Sequence, residues 1–279
     1  MSSVAEAASE RVELTDFGVM RVAGSDARAF LQGQLSNDLL RLTSDDSLLA
    51  AFNTVQGRVV AILRLVQRPD GIFALLPAAL VPKVIAGLDK YILRSKVTLS
   101  DESPRFAVVG VLGASVRKML LVPRADLAAA VPSAKAAENA LERWRLVTIA
   151  AGEPQVYLET SEMFVAQMLN LDLVDGVSFS KGCYTGQEII ARTQHRGRIK
   201  RRMLRYRIRG TTAPKRGEQL RLDAGRLGRI VESAARNANE SEVLAVVPLD
   251  GSDRDSAESS LPHLEVERLP LPYAVPDLS

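Results

Sequence analysis

Lys181-Gly182-Cys183-Tyr184-Thr185-Gly186-Gln187-Glu188 holds the only cysteine of a 279-residue chain. Glycines bracket that cysteine, a lysine precedes it and a basic run follows. Thr185 with Glu188 three residues later, ahead of Ile189-Ile190-Ala191, is a capping-box pattern. It predicts a helix from about Gly186 with Thr185 as N-cap. Cys183 then lies near the positive end of the helix dipole, and Lys181 adds a second positive charge. Both lower a thiol pKa from its free value of about 8.5 and raise the thiolate fraction. Gly182 and Gly186 permit a tight turn or the close approach of a ligand. The residues alone leave two readings of Cys183: a small apolar side chain packed in a turn, or a reactive thiolate.

The basic run is local. From Arg192 to Gly217 there are eleven Lys or Arg and no Asp or Glu. Outside that window, 25 basic residues stand against 33 acidic ones, although the whole chain carries a net charge of +3. Such a patch is either a solvated face or a surface for an anion: RNA, a polyanionic cofactor tail or an acidic protein. Its candidate residues are Arg192, Arg196, Arg198, Lys200, Arg201 and Arg202, followed by a strand in which Leu204, Tyr206 and Ile208 alternate with Arg205, Arg207 and Arg209. Tyr206 is the one aromatic residue in the run and falls on its apolar side, so tail or phosphate binding fits better than base readout.

At 47% hydrophobic and 25% charged residues, the composition is that of an ordinary globular protein. One cysteine excludes an intrachain disulfide, and two histidines, His195 and His263, make no zinc-type cluster, so no metal site is expected. Met1 to Glu10 is polar and acidic, unlike a secretory signal. Its early glutamates also argue against a mitochondrial transit peptide. No apolar run approaches the roughly 18 residues that a membrane span needs. A cytoplasmic address and no membrane partner are expected.

Along the chain, residues 1–11 read as a disordered lead. Phe17 to Val22 alternates as a strand, Gly24-Ser25-Asp26 is a turn, and Ala29, Phe30, Leu31, Leu35 and Leu39 predict a helix to about Leu40. Strands are expected over Ser47 to Asn53, Arg58 to Val66, Ile72 to Leu76 and Val97 to Leu99, with a helix from about Pro82 to Leu93. Phe106 to Leu112 opens a second unit, followed by short helices over Ser115 to Leu121 and Ala125 to Ala130. Trp144 to Ile149 reads as strand or helix, and Ser161 to Leu171 as helix. Short strands near Gln219 to Leu222, Gly228 to Glu232, Val243 to Val247 and Leu264 to Leu269 suggest a small antiparallel barrel, with Asp250 to Ser260 a polar loop. The domains expected are 12–104 and 105–200, both α+β, and a C-terminal β-barrel over 201–279.

Lys181 to Glu188, continued by Ile189 to Arg192, Arg196-Gly197 and Lys200-Arg201, resembles the signature of the YgfZ-type folate-binding proteins. These are tRNA-modifying and iron–sulfur assembly factors related to the T protein (aminomethyltransferase) of the glycine cleavage system. The resemblance extends through Gln167 to Asp172 and Gly176 to Phe179. It runs more weakly over Leu14 to Leu99 and includes the tail Leu269 to Tyr273.

The resemblance implies two α+β domains around a central cavity that binds tetrahydrofolate or a related folate, plus the barrel. Trp144 aligns with a tryptophan lining the folate pocket, and Phe17 with a second aromatic there; Trp144 read alone is equally a core anchor. Cys183 would be the catalytic residue, near the mouth of the cavity. The partners implied are iron–sulfur proteins or assembly factors, with an indirect link to tRNA. Two departures stand out. The acidic pair of the aminomethyltransferases aligns with Ala61 and Ile62, which argues against aminomethyl transfer. A glutamate that holds the pterin in many relatives aligns with Ala150, and charge-assisted hydrogen bonds of that kind are worth about 1.5–3 kcal/mol each. The rival readings are a folate-dependent one-carbon transferase and an RNA-binding accessory protein using the arginine patch.

Overall fold

The computed structural model describes residues 10–113, 117–131, 139–196, 199–211, 213–222, 226–249 and 265–276. The chain begins with β1 (Glu10–Glu13), β2 (Phe17–Ala23), α1 (Ala27–Gln32), β3 (Ser47–Asn53), β4 (Val59–Arg68), β5 (Gly71–Pro77), α2 (Val81–Asp89) and β6 (Thr98–Asp101). Five of these strands form an antiparallel sheet in the order β3-β4-β5-β2-β6. Period-two alternation explains why both of its faces are buried. Met20, Val22, Ile72, Ala74 and Leu76 enter one core, while Val19, Phe73 and Leu75 enter another.

The helix expected to reach Leu40 stops at Gln32. Gly33 follows, and then short polar side chains compete for the backbone. Asp38 accepts from the Leu40 N–H, and the Gln32 side chain accepts from the Leu39 N–H. Leu35 and Leu39 are still fully buried, but from an extended stretch and a 3-10 turn over Leu39–Arg41. Leu35 bridges to Phe52 as an isolated strand pair.

Next come β7 (Phe106–Leu112), β8 (Arg117–Pro123), α3 (Leu127–Ala130) and α4 (Ala140–Ala150). A three-stranded sheet runs β1-β7-β8, so the N-terminal strand is paired into the second unit. Two expectations are corrected here. Glu10 and Arg11, assigned to a disordered lead, pair with Leu112 and Val111. Ser115 to Leu121, expected as helix, contributes a strand from Arg117, because its backbone is ladder-bonded to β7 and packing overrides local propensity. Trp144 lies on α4. Ser161 to Leu171 is mostly turns, with one 3-10 turn at Ala166–Leu169 ended by Asn170 at φ 57°.

The final part holds α5 (Gln187–Arg196), β9 (Arg201–Arg209), β10 (Gln219–Arg221), β11 (Leu227–Asn237), β12 (Glu240–Pro248) and β13 (Glu265–Leu269). Its five strands form a curled antiparallel sheet in the order β10-β11-β12-β9-β13. Among the described residues β10 and β13 do not pair, so the expected barrel is an open half-barrel. Tyr206, Ile208, Ile230, Val243 and Val247 fill its concave core. Met203, Val231, Leu244 and Val246 point the other way and join the core of the first sheet. The expected polar loop at Asp250 to Ser260 lies outside the described residues. No helix among the described residues is long and apolar enough to cross a membrane.

Candidate functional site

The loop from Lys181 to Gly186 is clasped to the stretch after α1 and to the β3–β4 turn by its inward-facing groups. Lys181 Nζ donates to the carbonyls of Gln32, Leu35 and Asn37 at 2.6, 2.7 and 2.8 Å. The same ammonium lies 5.0 Å from the centre of the Tyr184 ring, which is buried. Burial pushes Lys181 down to about 8, with Asp38 opposing the shift, and pushes the Tyr184 phenol up to about 12. The Thr185 hydroxyl is 2.9 Å from Gln34 Oε1. Gly186 has φ +81°, and a Cβ on it would come 2.4 Å from the Thr54 carbonyl oxygen. Upstream, the Ser178 N–H donates to the Ser36 carbonyl, the Ser36 hydroxyl to the Gly176 carbonyl, and the Asn37 amide to the Asp175 carbonyl.

Between these anchors Gly182 and Cys183 face outward. A Cβ on Gly182 would meet nothing within 4 Å, and Cys183 is an exposed free thiol. Of the two sequence readings, the packed apolar cysteine is excluded. Two local expectations change. The α5 helix begins at Gln187, close to the expected start, but the Thr185 hydroxyl goes to Gln34 instead of capping it. The Lys181 charge is directed into a cage of carbonyls, so its first task is to pin the loop. Gln187 is half-buried and Glu188 exposed.

Phe17 and Trp144 lie in the same part of the fold. Both are buried in one cluster, and the indole fills the space left by the missing side chain of Gly110. They line a hollow of about 20 Å³ together with Asp16, Met119, Arg145, Glu153, Tyr157 and Glu232. That volume holds about one water and no fused ring. Met119 also lines an outer hollow of about 450 Å³, and Glu153 one of about 240 Å³. Glu153 is ion-paired with Arg64, which lines both outer hollows. Met119 and Glu153 thus stand between this hollow and the two larger outer ones. Cys183 does not line the hollow, so the structure does not bring the thiol and the aromatic pair into one cavity.

Sequence reasoning missed the polar wall of this hollow. Arg145 donates to Asp16 Oδ2 at 2.8 Å and to Glu142 at 2.6 Å. Arg216 lies 3.4 Å from the Tyr157 ring centre and pairs with Glu232 at 2.8 Å. Burial, then Glu232, pushes the Tyr157 phenol well above its ordinary value, so it stays protonated as a donor. Ala61 and Ile62 are fully buried in β4 and bring no carboxylate, but Glu153, three residues beyond Ala150, reaches the hollow. The adjacency of Asp16 to Phe17 was the available signal; Arg216 and Glu232 gave none, because they arrive from the distant half-barrel.

The anion patch dissolves in part. Arg202 is buried, donating to Asp172 through both terminal nitrogens at 2.6 and 2.9 Å. This correction has a physical cause: an arginine inside needs a carboxylate, and Asp172 supplies one. Arg205 pairs with Glu242, Arg207 with Glu240 and Glu267, and Arg209 with Glu265. The arginine face of β9 is a cross-strand ladder. Arg192, Lys200 and Arg201 are exposed. Arg198 lies outside the described residues, as does the side chain of Arg196.

No protein-family model matches the chain. It is 29% identical over 279 residues to an uncharacterised protein of Haemophilus influenzae, covering 96% of this chain and 99% of that one. It is 28% identical over 313 residues to the tRNA-modifying protein YgfZ of Escherichia coli, covering 95% and 93% of the two chains. The protein of the same name from Pectobacterium carotovorum is 28% identical over 319 residues, with coverages of 98% and 94%. Among solved structures, the glycine cleavage system aminomethyltransferase T from Bartonella henselae superposes with a TM-score of 0.73 at 12% identity, over 96% of this chain and 86% of that one. The chain is therefore similar to the YgfZ proteins almost from end to end and shares the T-protein fold.

Proposed function

We propose that this chain is a folate-binding protein that supports tRNA modification by maintaining iron–sulfur clusters in the cytoplasm, with Cys183 as its working residue. The observation that carries the reading is the presentation of Cys183: an exposed thiol between inward anchors, in a chain similar throughout to tRNA-modifying proteins. A thiol there is reachable and can ligate iron on losing its proton, because nothing in the loop covers it. Tetrahydrofolate would lie against Phe17 and Trp144 and supply a one-carbon carrier when bound. The same reading divides the chain near residues 104 and 200 into two α+β domains and a barrel-like C-terminal domain.

The rivals are less well supported. Aminomethyl transfer lacks its acid pair at Ala61 and Ile62. RNA binding through β9 would have to compete with glutamates already holding Arg205, Arg207 and Arg209. Titration of the single tryptophan, Trp144, with tetrahydrofolate tests the pocket, and saturable quenching is expected. Emission unchanged at saturating ligand removes the folate assignment. Cys183→Ser should abolish support of tRNA thiolation in cells while leaving the fold intact; normal thiolation in the variant refutes the role of the thiol.

A further inference from the structure

We propose that Asp16 reads the edge of the flat ligand and selects a ring with adjacent N–H donors, such as the 2-amino-4-oxo edge of a pterin. This rests on the folate reading above. Asp16 Oδ1 is buried and has no hydrogen-bond partner, whereas Oδ2 is held by Arg145 at 2.8 Å. Arg145 is itself fixed by Glu142 at 2.6 Å, so the carboxylate plane is set in advance. The other carboxylates of the hollow are engaged: Glu153 with Arg64, and Glu232 with Arg216, the Ser233 N–H and Tyr157. Asp16 is thus the acceptor left over, beside Phe17 and Trp144 on the wall of the same hollow.

A buried carboxylate oxygen without a donor is costly, so some donor completes it. Two candidates suit the place: a single water, for which the hollow has room, or the N–H edge of a ring that enters as Met119 and Glu153 move aside. A carboxylate accepts well from neighbouring N–H groups, as it does from a guanidinium, and repels a carbonyl in their place. The aromatic pair would hold the ring, and Asp16 would choose which edge it offers.

The test compares pterin with lumazine, which carries a 2-oxo group in place of the 2-amino group, by competition against tetrahydrofolate quenching of Trp144. Wild-type protein should prefer pterin by at least roughly tenfold, the worth of one charge-assisted hydrogen bond. Asp16→Asn, checked for a native circular dichroism spectrum, should lose that preference and bind tetrahydrofolate about 10- to 100-fold more weakly. Equal wild-type affinities for pterin and lumazine overturn the proposal, whether or not the variant folds, and leave a water as the partner of Oδ1. Wild-type protein that binds tetrahydrofolate without discrimination sinks the role of Asp16 alone. Protein that binds no pteridine sinks the folate reading as well.

Discussion

Gly186 lies against Thr54 so closely that a Cβ on the glycine would stand 2.4 Å from the threonine carbonyl oxygen. The turn of the β3–β4 hairpin and the entry to α5 are thereby locked together, and a Cβ on Gly57 in that turn would stand 2.9 Å from the Cβ of Ile189. Gly186 also has φ +81°, a conformation that costs a residue with a side chain. Gly186→Ala should therefore destabilise the protein by about 2–4 kcal/mol through clash and strain together. The melting temperature should fall by roughly 5–12 °C in a thermal scan. An unchanged melt would mean that this contact does not hold the loop.

Lys181→Met keeps the length of the stem but leaves the carbonyls of Gln32, Leu35 and Asn37 without their shared donor. A loss of about 2–4 kcal/mol is expected, read from urea unfolding. The loop should loosen, so the rate at which Cys183 reacts with an alkylating reagent should change in the folded variant. Cys183→Ser, at an exposed position, should stay within about 0.5 kcal/mol of wild type.

Asp172→Ala strands the buried Arg202 guanidinium and should cost about 3–5 kcal/mol. Lys200→Gln with Arg201→Gln, both exposed, should leave the melt unchanged and make retention on a polyanion column less dependent on salt. A reversed pattern would restore Arg202 to the surface patch.

The Leu40 N–H, and then the Gln32 side chain, hold the Asp38 carboxyl below its ordinary value of 3.8, against the opposing effect of burial. The folded pKa is the lower one, so unfolded chains bind the proton first. The stabilisation is complete above the unfolded value and lost as pH falls through the folded one. Asp38→Asn should flatten the acid limb of stability below about pH 4, as followed by circular dichroism. An identical acid limb would exclude the contribution.

The strands with period-two alternation could be read directly, because Val19 and Met20, or Leu204 and Arg205, must leave opposite faces of a strand whatever lies beyond them. The extent of α1 and the nature of β8 could not, because each was settled by distant partners: Ser36 and Asn37 by the Gly176 and Asp175 carbonyls, and Arg117 to Pro123 by the ladder to β7. The same division holds at the site. The lone cysteine and its glycines stand out in the residues, and the resemblance pointed to Phe17 and Trp144, whereas the wall of Asp16, Arg145, Tyr157 and Glu232, with Arg216 paired behind Glu232, exists only after the half-barrel docks on α4 and the first sheet.

Residue order alone fixed which faces are greasy, where the chain turns and that one thiol sits in a glycine-flanked loop. Those properties follow from side-chain chemistry and short-range geometry. Tertiary packing decided that the thiol faces solvent, that Lys181 points inward and that the arginines of β9 meet glutamates. The physical reason is that a charge acquires its role from the opposite charges and carbonyls that folding brings beside it, and these lie tens of residues away in sequence: Lys181 finds its acceptors at 32–37, and Arg205 finds Glu242.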